Sequence, residues 1–549
     1  MVRSFSFHLL ILFLLGGCAS KLKDQMKDYR IAFLKNDFEK ADSILEKSVL
    51  KKDKKSVLLW HLEKGTLSVA RDRADEAVHH FQTALELIDK LFTTKLSSKG
   101  LSFLINDGSD DFYGASYERS YAHYYLAKSL YRRYQQRQNK LDLQGARATI
   151  LAWDSYFSEL QRSADSKTLY STDLMLKVFG GQIHEVSEIK NDKQVALQLY
   201  KDALGILDSQ GGIFSIFNSK NQDYVSHFQK ENKISHELYA STPARNDLKN
   251  FLHYKILSLT KEIRGGDFSI AEKSLAATDE ISKISQEGSG NVVIVVEEGL
   301  IPQKVGRPFS FGIKGAMNTV EDSKAKKFIA TVGVELITSF AMDKLGMFPK
   351  GPLNPGGFIF AHDMTKLAVQ EAAIEFELPV IETVPSIKRL ELFVLDLGGS
   401  VLKKGPLPVI SENGDIAKIV LEEDAVSRYV KTGTRVATKH LFSILTAMQL
   451  YRQLTRGQSQ GSDFLAKSAA LAAYVAASKG IASLEKADTR HWTTLPQAFR
   501  MTELKLKPGF YKLGLASYTG ETAPSAPSKI LGNIQVKDSG KSIFTFTLN

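Results

Sequence analysis

Cys18 is the only cysteine among the 549 residues, and the residues before it have the pattern of an export signal. Arg3 precedes an apolar run over residues 9–15, and two glycines come directly before the cysteine. A basic start, a short apolar run and small residues at its end are typical of a cleaved signal peptide. The run is too short to span a bilayer, which takes about 20 apolar residues.

The sequence Leu15-Gly16-Gly17-Cys18 resembles the bacterial lipobox. That resemblance implies that residues 1–17 are removed and that the Cys18 sulfur carries lipid, with palmitate among the acyl chains. Membrane lipid is then the first expected partner. Ala19 and Ser20 follow, without the aspartate that resembles an inner-membrane retention signal. We therefore expect a lipid anchor in the bacterial cell envelope, on the periplasmic face of the outer membrane.

A second cluster with chemical potential comprises Asp488, Arg490, His491 and Trp492. An Asp–His pair can perform acid–base chemistry, and a His–Trp pair can stack on a sugar. The alternative is a turn in which Asp488 and Arg490 form a local ion pair and Trp492 packs between domains. We favour the turn, because no partner nucleophile is in view.

Other catalytic signatures are missing from the sequence. It contains no His-Glu-x-x-His zinc helix, no phosphate loop and no Gly-x-Ser-x-Gly elbow. The segment Gly398-Gly399-Ser400 is better explained as a hairpin turn. We expect no catalytic residue, no cofactor and no metal, and hence a protein that is not an enzyme.

A tyrosine-rich segment supplies six candidate partner-binding side chains: Tyr117, Glu118, Arg119, Tyr121, Tyr124 and Tyr125. Spacings of three and four residues place the rings near one face of a helix. One interpretation is a concave surface that grips a peptide or a sugar. The other, which we favour, is a packed face between helices, since apolar helical periodicity indicates burial first.

The elements that position these residues are helical up to about residue 285. Repeats at tetratricopeptide spacing comprise Gly65, Ala77, Phe81 and Ala84; Tyr29, Ala41, Leu45 and Ser48; and Ala196, Tyr200 and Ala203. In that pattern small residues let paired helices approach, and a large apolar residue fills the groove. The region therefore predicts an all-α tetratricopeptide-like solenoid.

The stretch 286–290 has the composition of a linker, and the β-branched run 291–296 that follows predicts a buried strand. Further strands are predicted at residues 307–313, 378–384, 390–397 and 417–421, with helices at 323–345, 363–376, 424–453 and 463–487. Residues 501–518 predict a hairpin, and residues 530–536 and 542–548 complete a small sheet. We expect a multidomain chain: signal peptide 1–17, helical domain 18–285, α+β domain 291–494 and β-rich C-terminal subdomain 495–549.

Four parts of the chain together resemble an uncharacterised family of tetratricopeptide-containing bacterial outer-membrane lipoproteins. They are the helical region, the segment from Asn106-Asp107 through Tyr117-Glu118-Arg119 to His123-Tyr124-Tyr125, the strand at 291–302, and Ala487 to Trp492. The resemblance implies a lipid anchor and a repeat domain but carries over no catalytic residue. A looser architectural similarity is to lipoprotein activators of peptidoglycan synthases.

Three functional hypotheses follow. The leading one is an adaptor or scaffold whose solenoid binds a protein partner in the cell envelope. The second is a binder of peptidoglycan or another glycan that regulates a cell-wall enzyme. The third is a hydrolase with its chemistry near Asp488 and His491. The net charge of +11 is not assigned to nucleic acid, because export removes the chain from it.

Replacing Cys18 with serine removes the sulfur that would carry the lipid. We expect Cys18→Ser to block lipid attachment and to leave an unprocessed precursor. Labelled fatty-acid incorporation and the size of the membrane-bound protein measure both effects. A Cys18→Ser variant found in membranes at the mature size, with no label in the wild type, would overturn the lipoprotein assignment.

Overall fold

The structure is a computed structural model of the chain. It describes residues 17–97, 110–162, 170–187, 189–208, 242–311, 374–382, 388–423, 463–519, 522–538 and 540–548, together with isolated positions between 432 and 454. The predicted helix at 323–345 and the first eleven residues of the predicted helix at 363–376 lie outside these residues.

The N-terminal region is helical. Its helices are α1 (Gly17–Leu34), α2 (Phe38–Lys47), α3 (Val49–Lys52), α4 (Val57–Ala70), α5 (Ala74–Ser97), α6 (Ser116–Arg137), α7 (Lys140–Arg162), α8 (Leu174–Glu185), α9 (Lys190–Leu207), α10 (Thr242–Ile263), α11 (Phe268–Leu275) and α12 (Asp279–Ser285). From α4 to α10, each described helix contacts the next described helix. None of the described helices is long and apolar enough to cross a membrane.

A region that contains sheets follows and ends in strands. Its elements are β1 (Val292–Glu298), β2 (Lys304–Phe311), β3 (Ile374–Ile381), β4 (Arg389–Leu395), β5 (Val401–Pro406), β6 (Val409–Glu412), α13 (Asn413–Glu423), α14 (Asp463–Leu484), β7 (Ala498–Leu504), β8 (Gly509–Tyr518), β9 (Lys529–Val536) and β10 (Ser542–Leu548).

Two four-stranded sheets contain most of these strands. The inner sheet has the order β10-β1-β7-β6 and the outer sheet the order β5-β4-β8-β9, while β2 pairs with β3 alone. Strand β1 runs parallel to β10 and antiparallel to β7. The inner sheet lies between the helices and the outer sheet, because its two faces are buried in different cores.

The side chains of β1, which point alternately to the two faces of the inner sheet, show this layering directly. Val293 and Val295 point into the core that the inner sheet shares with the helices. Val292, Ile294 and Val296 point into the core between the two sheets. A strand buried on both faces has a continuous apolar sequence instead of an alternating one. The run at 291–296 has this pattern, so the sequence alone predicts a buried strand there.

The residues at tetratricopeptide spacing are buried between helices. A Cβ atom on Gly65 would lie 2.7 Å from the Phe81 ring, so glycine is what allows α4 and α5 to approach. Gly181 on α8 has the same relation to the ring of Tyr200 on α9, at 2.5 Å. Ala77 and Ala84 have no exposed surface.

The structure confirms the predicted strands at 291–296, 307–313 and 390–397 within a residue or a few, and the helix at 463–487 as α14. The strand predicted at 417–421 is wrong, because those residues lie within helix α13. Ile416 and Ile419, one helical turn apart, both contact the helical core. Tertiary packing therefore overrides the strand preference of their β-branched side chains.

The predicted hairpin at 501–518 is also wrong. Strand β7 pairs with β1 and β6 in the inner sheet, whereas β8 pairs with β4 and β9 in the outer sheet. The connection between them crosses from one sheet to the other. Each sheet thus contains strands from both sides of residue 495, so residues 495–549 have no sheet of their own.

Helices α4 and α5 generate a stability prediction. Phe81→Ala should leave a cavity and cost about 3–5 kcal/mol, and Ala84→Leu should overpack the helix seam and cost about 1–3 kcal/mol. The exposed control Gln82→Ala should change the unfolding free energy by less than about 0.5 kcal/mol. Urea unfolding of the full chain measures all three. Equal stabilities would show that the helix register is different.

Candidate functional site

Helix α6 carries the six candidate side chains, and Glu118 closes its first turn. One Glu118 carboxylate oxygen accepts a 2.6 Å hydrogen bond from the Ala115 backbone N–H. Arg119 lies over the Tyr113 ring at 3.9 Å and donates to the Gly114 carbonyl at 3.0 Å. Both charged side chains therefore bind backbone groups at the start of their own helix.

The tyrosines of α6 face the inner sheet. The Tyr121 ring stacks on Phe499 of β7, with 5.0 Å between centroids and 6° between planes. Tyr124 meets the same phenyl ring at 4.9 Å, and its hydroxyl donates to Glu297 of β1 at 2.9 Å. Tyr121 and Tyr124 have no exposed surface.

The structure therefore does not place these candidate residues on an open, partner-binding surface. Tyr117 and Glu118 are 3% and 2% exposed, and Tyr125 is fully buried. The face that they form is covered by the chain's own sheet, as the packing interpretation expects. Apolar helical spacing predicted the burial, but the sequence could not show that a sheet joins the neighbouring helices in covering the face.

Residues 488–495, which we name the strap, connect α14 to β7 and run across the helices. Arg490 pairs with Asp488 at 2.8 Å, and its guanidinium also donates to Ser56 Oγ at 3.2 Å and to the Asp110 carbonyl at 2.9 Å. The predicted local ion pair is thus confirmed. It also orients Arg490 to bind the helical region.

Trp492 is buried between the helices and the sheet, as the sequence predicted. Its indole N–H donates to Thr66 Oγ1 at 2.9 Å, and its backbone N–H donates to Glu118 at 2.6 Å. Its ring lies 5.3 Å from Tyr125 and 5.9 Å from Phe81. The two segments that the sequence singled out, near residues 118 and 492, are therefore in direct contact.

Glu63 on α4 binds the next residues of the strap. Its carboxylate accepts hydrogen bonds from the Thr493 backbone N–H at 2.6 Å, the Thr493 hydroxyl at 2.8 Å and the Thr494 hydroxyl at 2.5 Å. Burial raises the pKa of Glu63 to about 7. Arg30 of α1 donates to the Thr493 carbonyl at 2.8 Å, so both backbone polar groups of Thr493 are hydrogen-bonded to the helical region.

The acid–base pair of the hydrolase hypothesis is not formed. The Asp488 carboxylate binds Arg490, while His491 Nδ1 lies 2.9 Å from the Thr489 carbonyl. Burial lowers the pKa of His491 to about 3, so the imidazole stays neutral. His491 is 6% exposed, which leaves little access for a substrate.

Four charged residues that the sequence did not reveal join the helices to the sheet. Lys255 of α10 contacts Glu185 at 2.9 Å and Glu503 at 2.5 Å, and Lys541 contacts the same two carboxylates at 2.5 and 2.7 Å. Burial alone would raise the pKa of Glu503, but the two lysines lower it to about 2. Because the four residues are far apart in sequence, no local pattern predicts the cluster.

A buried acidic pair, Glu412 and Asp415, lies where β6 meets α13. Burial and the neighbouring Asp415 raise the pKa of Glu412 well above its usual value, and Arg500 opposes that shift. Arg500 itself pairs with Glu298 at 2.6 Å. Glu412 and Asp415 are almost completely inaccessible to solvent.

Glu63 generates a pH prediction. Because its pKa rises from 4.5 to about 7 on folding, the folded chain holds a proton that the unfolded chain releases between these values. Stability should therefore fall as pH rises through that window, by at most about 1.4 kcal/mol per pH unit. Glu63→Gln cannot titrate and should lose this slope.

Urea unfolding at several pH values measures the slope, with the exposed Glu86→Gln variant as the control. Glu86 is on α5 and faces solvent, so its replacement should leave the pH dependence as in the wild type. The same slope in wild type and Glu63→Gln would show that Glu63 is ionised in the folded protein throughout this range.

Comparison with known proteins gives no relative. No family model, no curated protein and no solved structure matches the chain. Function must therefore be argued from the residues and contacts described above.

Proposed function

We propose that the chain is a lipid-anchored adaptor of the bacterial cell envelope, attached through Cys18 and related to the tetratricopeptide-containing lipoproteins it resembles. Its helical region acts as a tetratricopeptide-like solenoid. Two observations support the solenoid: helices α4 to α10 each contact the next described helix, and glycine–aromatic contacts close two of the helix pairs. Solenoids provide extended binding surfaces.

The inner face of this solenoid is covered by the strap and the inner sheet of the same chain. Trp492 of the strap and Phe499 of the inner sheet are buried against the tyrosines Tyr121, Tyr124 and Tyr125 of α6. A partner that used the same face would have to displace these residues together with the hydrogen bonds of Glu63 and Glu118. We therefore assign the partner to a surface that the chain leaves exposed.

The surface that best fits a partner is one end of the outer sheet, which we name the sheet-end patch: Leu397, Val401, Leu402 and Phe510. These apolar side chains are 58%, 42%, 56% and 59% exposed. The β4–β8 register ends with Leu395 opposite Lys512, so Phe510 lies on the part of β8 that extends past the end of β4, where Leu397 follows in the turn. Clustered exposed apolar side chains are typical of interaction sites. This patch is the observation that carries the proposal.

The charge around the patch indicates the chemistry of the partner. Lys403 and Lys404 are exposed on β5 beside Leu402. Lys512 donates to the Leu397 carbonyl at 2.7 Å and keeps its charge near the patch. A protein surface with an apolar centre and an acidic rim would complement this arrangement.

The two other hypotheses have less support from the described contacts. Glycan binding relied on aromatic rings that are buried here, and hydrolysis relied on an Asp488–His491 pair that is not formed. Lipid is the remaining competitor for the sheet-end patch, because an anchored protein can also rest on an anionic membrane. The experiment below separates lipid from protein.

A photo-crosslinking residue at position 402 or 510, in cells that express the anchored chain, tests the proposal. We expect a discrete protein adduct from both positions. The matched control is position 151, an exposed leucine on α7, which should give none. Reversing the charge with Lys403→Glu and Lys404→Glu should reduce the adduct severalfold, since these lysines face solvent and not the core.

Three outcomes would contradict this assignment. Adducts with lipid alone would indicate a membrane-facing patch. Equal adducts at positions 151, 402 and 510 would indicate non-specific capture. If the charge reversal leaves the amount of adduct unchanged, the partner does not contact Lys403 and Lys404.

A further inference from the structure

Three histidines cluster where α4 lies against α5, away from the strap. His61 Nδ1 and His80 Nδ1 are 3.1 Å apart. The ring centroids of His80 and His79 are 5.2 Å apart, those of His61 and His80 5.3 Å, and those of His61 and His79 6.5 Å. His79 is exposed, while His61 is partly buried.

These distances fit imidazoles around a common ion. With metal–nitrogen bonds of about 2.0–2.1 Å, a nitrogen–nitrogen distance of 3.1 Å corresponds to an angle of about 100° at the metal. That angle lies between the right angle of square-planar sites and the tetrahedral angle. Imidazoles on one tetrahedral ion have centroids about 5 Å apart, close to the two shorter separations.

His79 would have to rotate to bind the same ion as His61 and His80. As the side chains stand, no group of three or more His, Cys, Asp or Glu residues in the described part of the chain could hold a metal ion. Because His79 is exposed, its ring can rotate toward the pair without disturbing the core.

We propose that His61 and His80 bind a divalent transition metal ion of the class that prefers imidazole, Zn²⁺ or Cu²⁺, with His79 as a third ligand after rotation and water completing the site. Nothing in the adaptor proposal requires this site, so the two proposals stand or fall separately. Imidazole suits both ions.

The surroundings orient the two imidazoles. Trp60 meets both rings edge-on, at 5.0 and 5.4 Å, and restricts their rotation.

The charged groups that face the site come from α2, α3 and α4. Lys64 is the cation nearest His80, but it is paired with Glu46 at 2.7 Å and with Asp42. Lys51 lies 5.3 Å from the centre of the Trp60 ring and also pairs with Glu46. The two lysines are thus offset by carboxylates, and their charge does not exclude a cation.

Calorimetric titration of the chelator-treated full chain, purified without a polyhistidine tag, tests the site with ZnCl₂ and CuCl₂, and with MgCl₂ as the control ion. We expect one tight site for each transition metal and none for Mg²⁺. His61→Gln and His80→Gln should each weaken binding by on the order of tenfold or more. His79→Gln should weaken it less, and His253→Gln, a histidine on α10 away from the cluster, should not.

Electron paramagnetic resonance of the wild-type protein with one equivalent of Cu²⁺ gives a readout that needs no variant. Coupling to two or three imidazole nitrogens is expected. Coupling to none, or wild-type affinity in the His61→Gln and His80→Gln variants, would overturn the site and leave the close contact as an imidazole–imidazole hydrogen bond. Circular dichroism of each metal-free variant shows whether lost binding is lost folding.

Discussion

The hydrogen bonds from the strap to Glu63 and Glu118 are the interaction on which the rest of the structure depends. The strap carries backbone N–H groups into the core between helices and sheet, where water cannot satisfy them, and an unpaired buried amide costs about 1–3 kcal/mol. Glu118 accepts from the Trp492 backbone and Glu63 from that of Thr493. With these amides satisfied, Trp492 can be buried completely, and its ring joins Phe81 of the helical region to the tyrosines of α6.

The same junction explains why the molecule has layers. The inner sheet presents one apolar face to the helices and the other to the outer sheet, so neither neighbour can leave without exposing a core. At one end of the junction the strap supplies the polar contacts; at the other, Lys255 and Lys541 bridge Glu185 and Glu503. Equal numbers of positive and negative charges make that buried cluster neutral. Removing a single member would leave an uncompensated charge in the core. These contacts indicate that the residues on the two sides of the 286–290 segment stabilise each other.

Local sequence patterns predicted the parts of this arrangement that depend on local physics. The apolar run of β1, the small and aromatic positions of the helix pairs, and the Asp488–Arg490 contact all follow from neighbours within a few residues. The segment at 417–421 was mistaken for a strand because β-branched residues favour strands unless tertiary contacts favour a helix. The change of sheet between β7 and β8 and the four-charge cluster could not be predicted at all. Each depends on which distant strand or helix becomes the neighbour, and a single sequence does not contain that information.

In the adaptor that we propose, the sheet and the strap cover the helical face that a repeat domain would otherwise offer to a partner. A repeat domain with an empty groove can bind a free peptide, but here that binding energy already fixes the sheet to the helices. Contacts with other molecules must then come from what faces outward. On the helical side this is the histidine cluster of α4 and α5, whose rings meet solvent through His79. On the far side of the inner sheet it is the apolar end of the outer sheet, where Phe510 and Leu402 remain exposed. The inner sheet packs against the helices on one face and the outer sheet on the other, so these two surfaces belong to regions that are joined by buried cores.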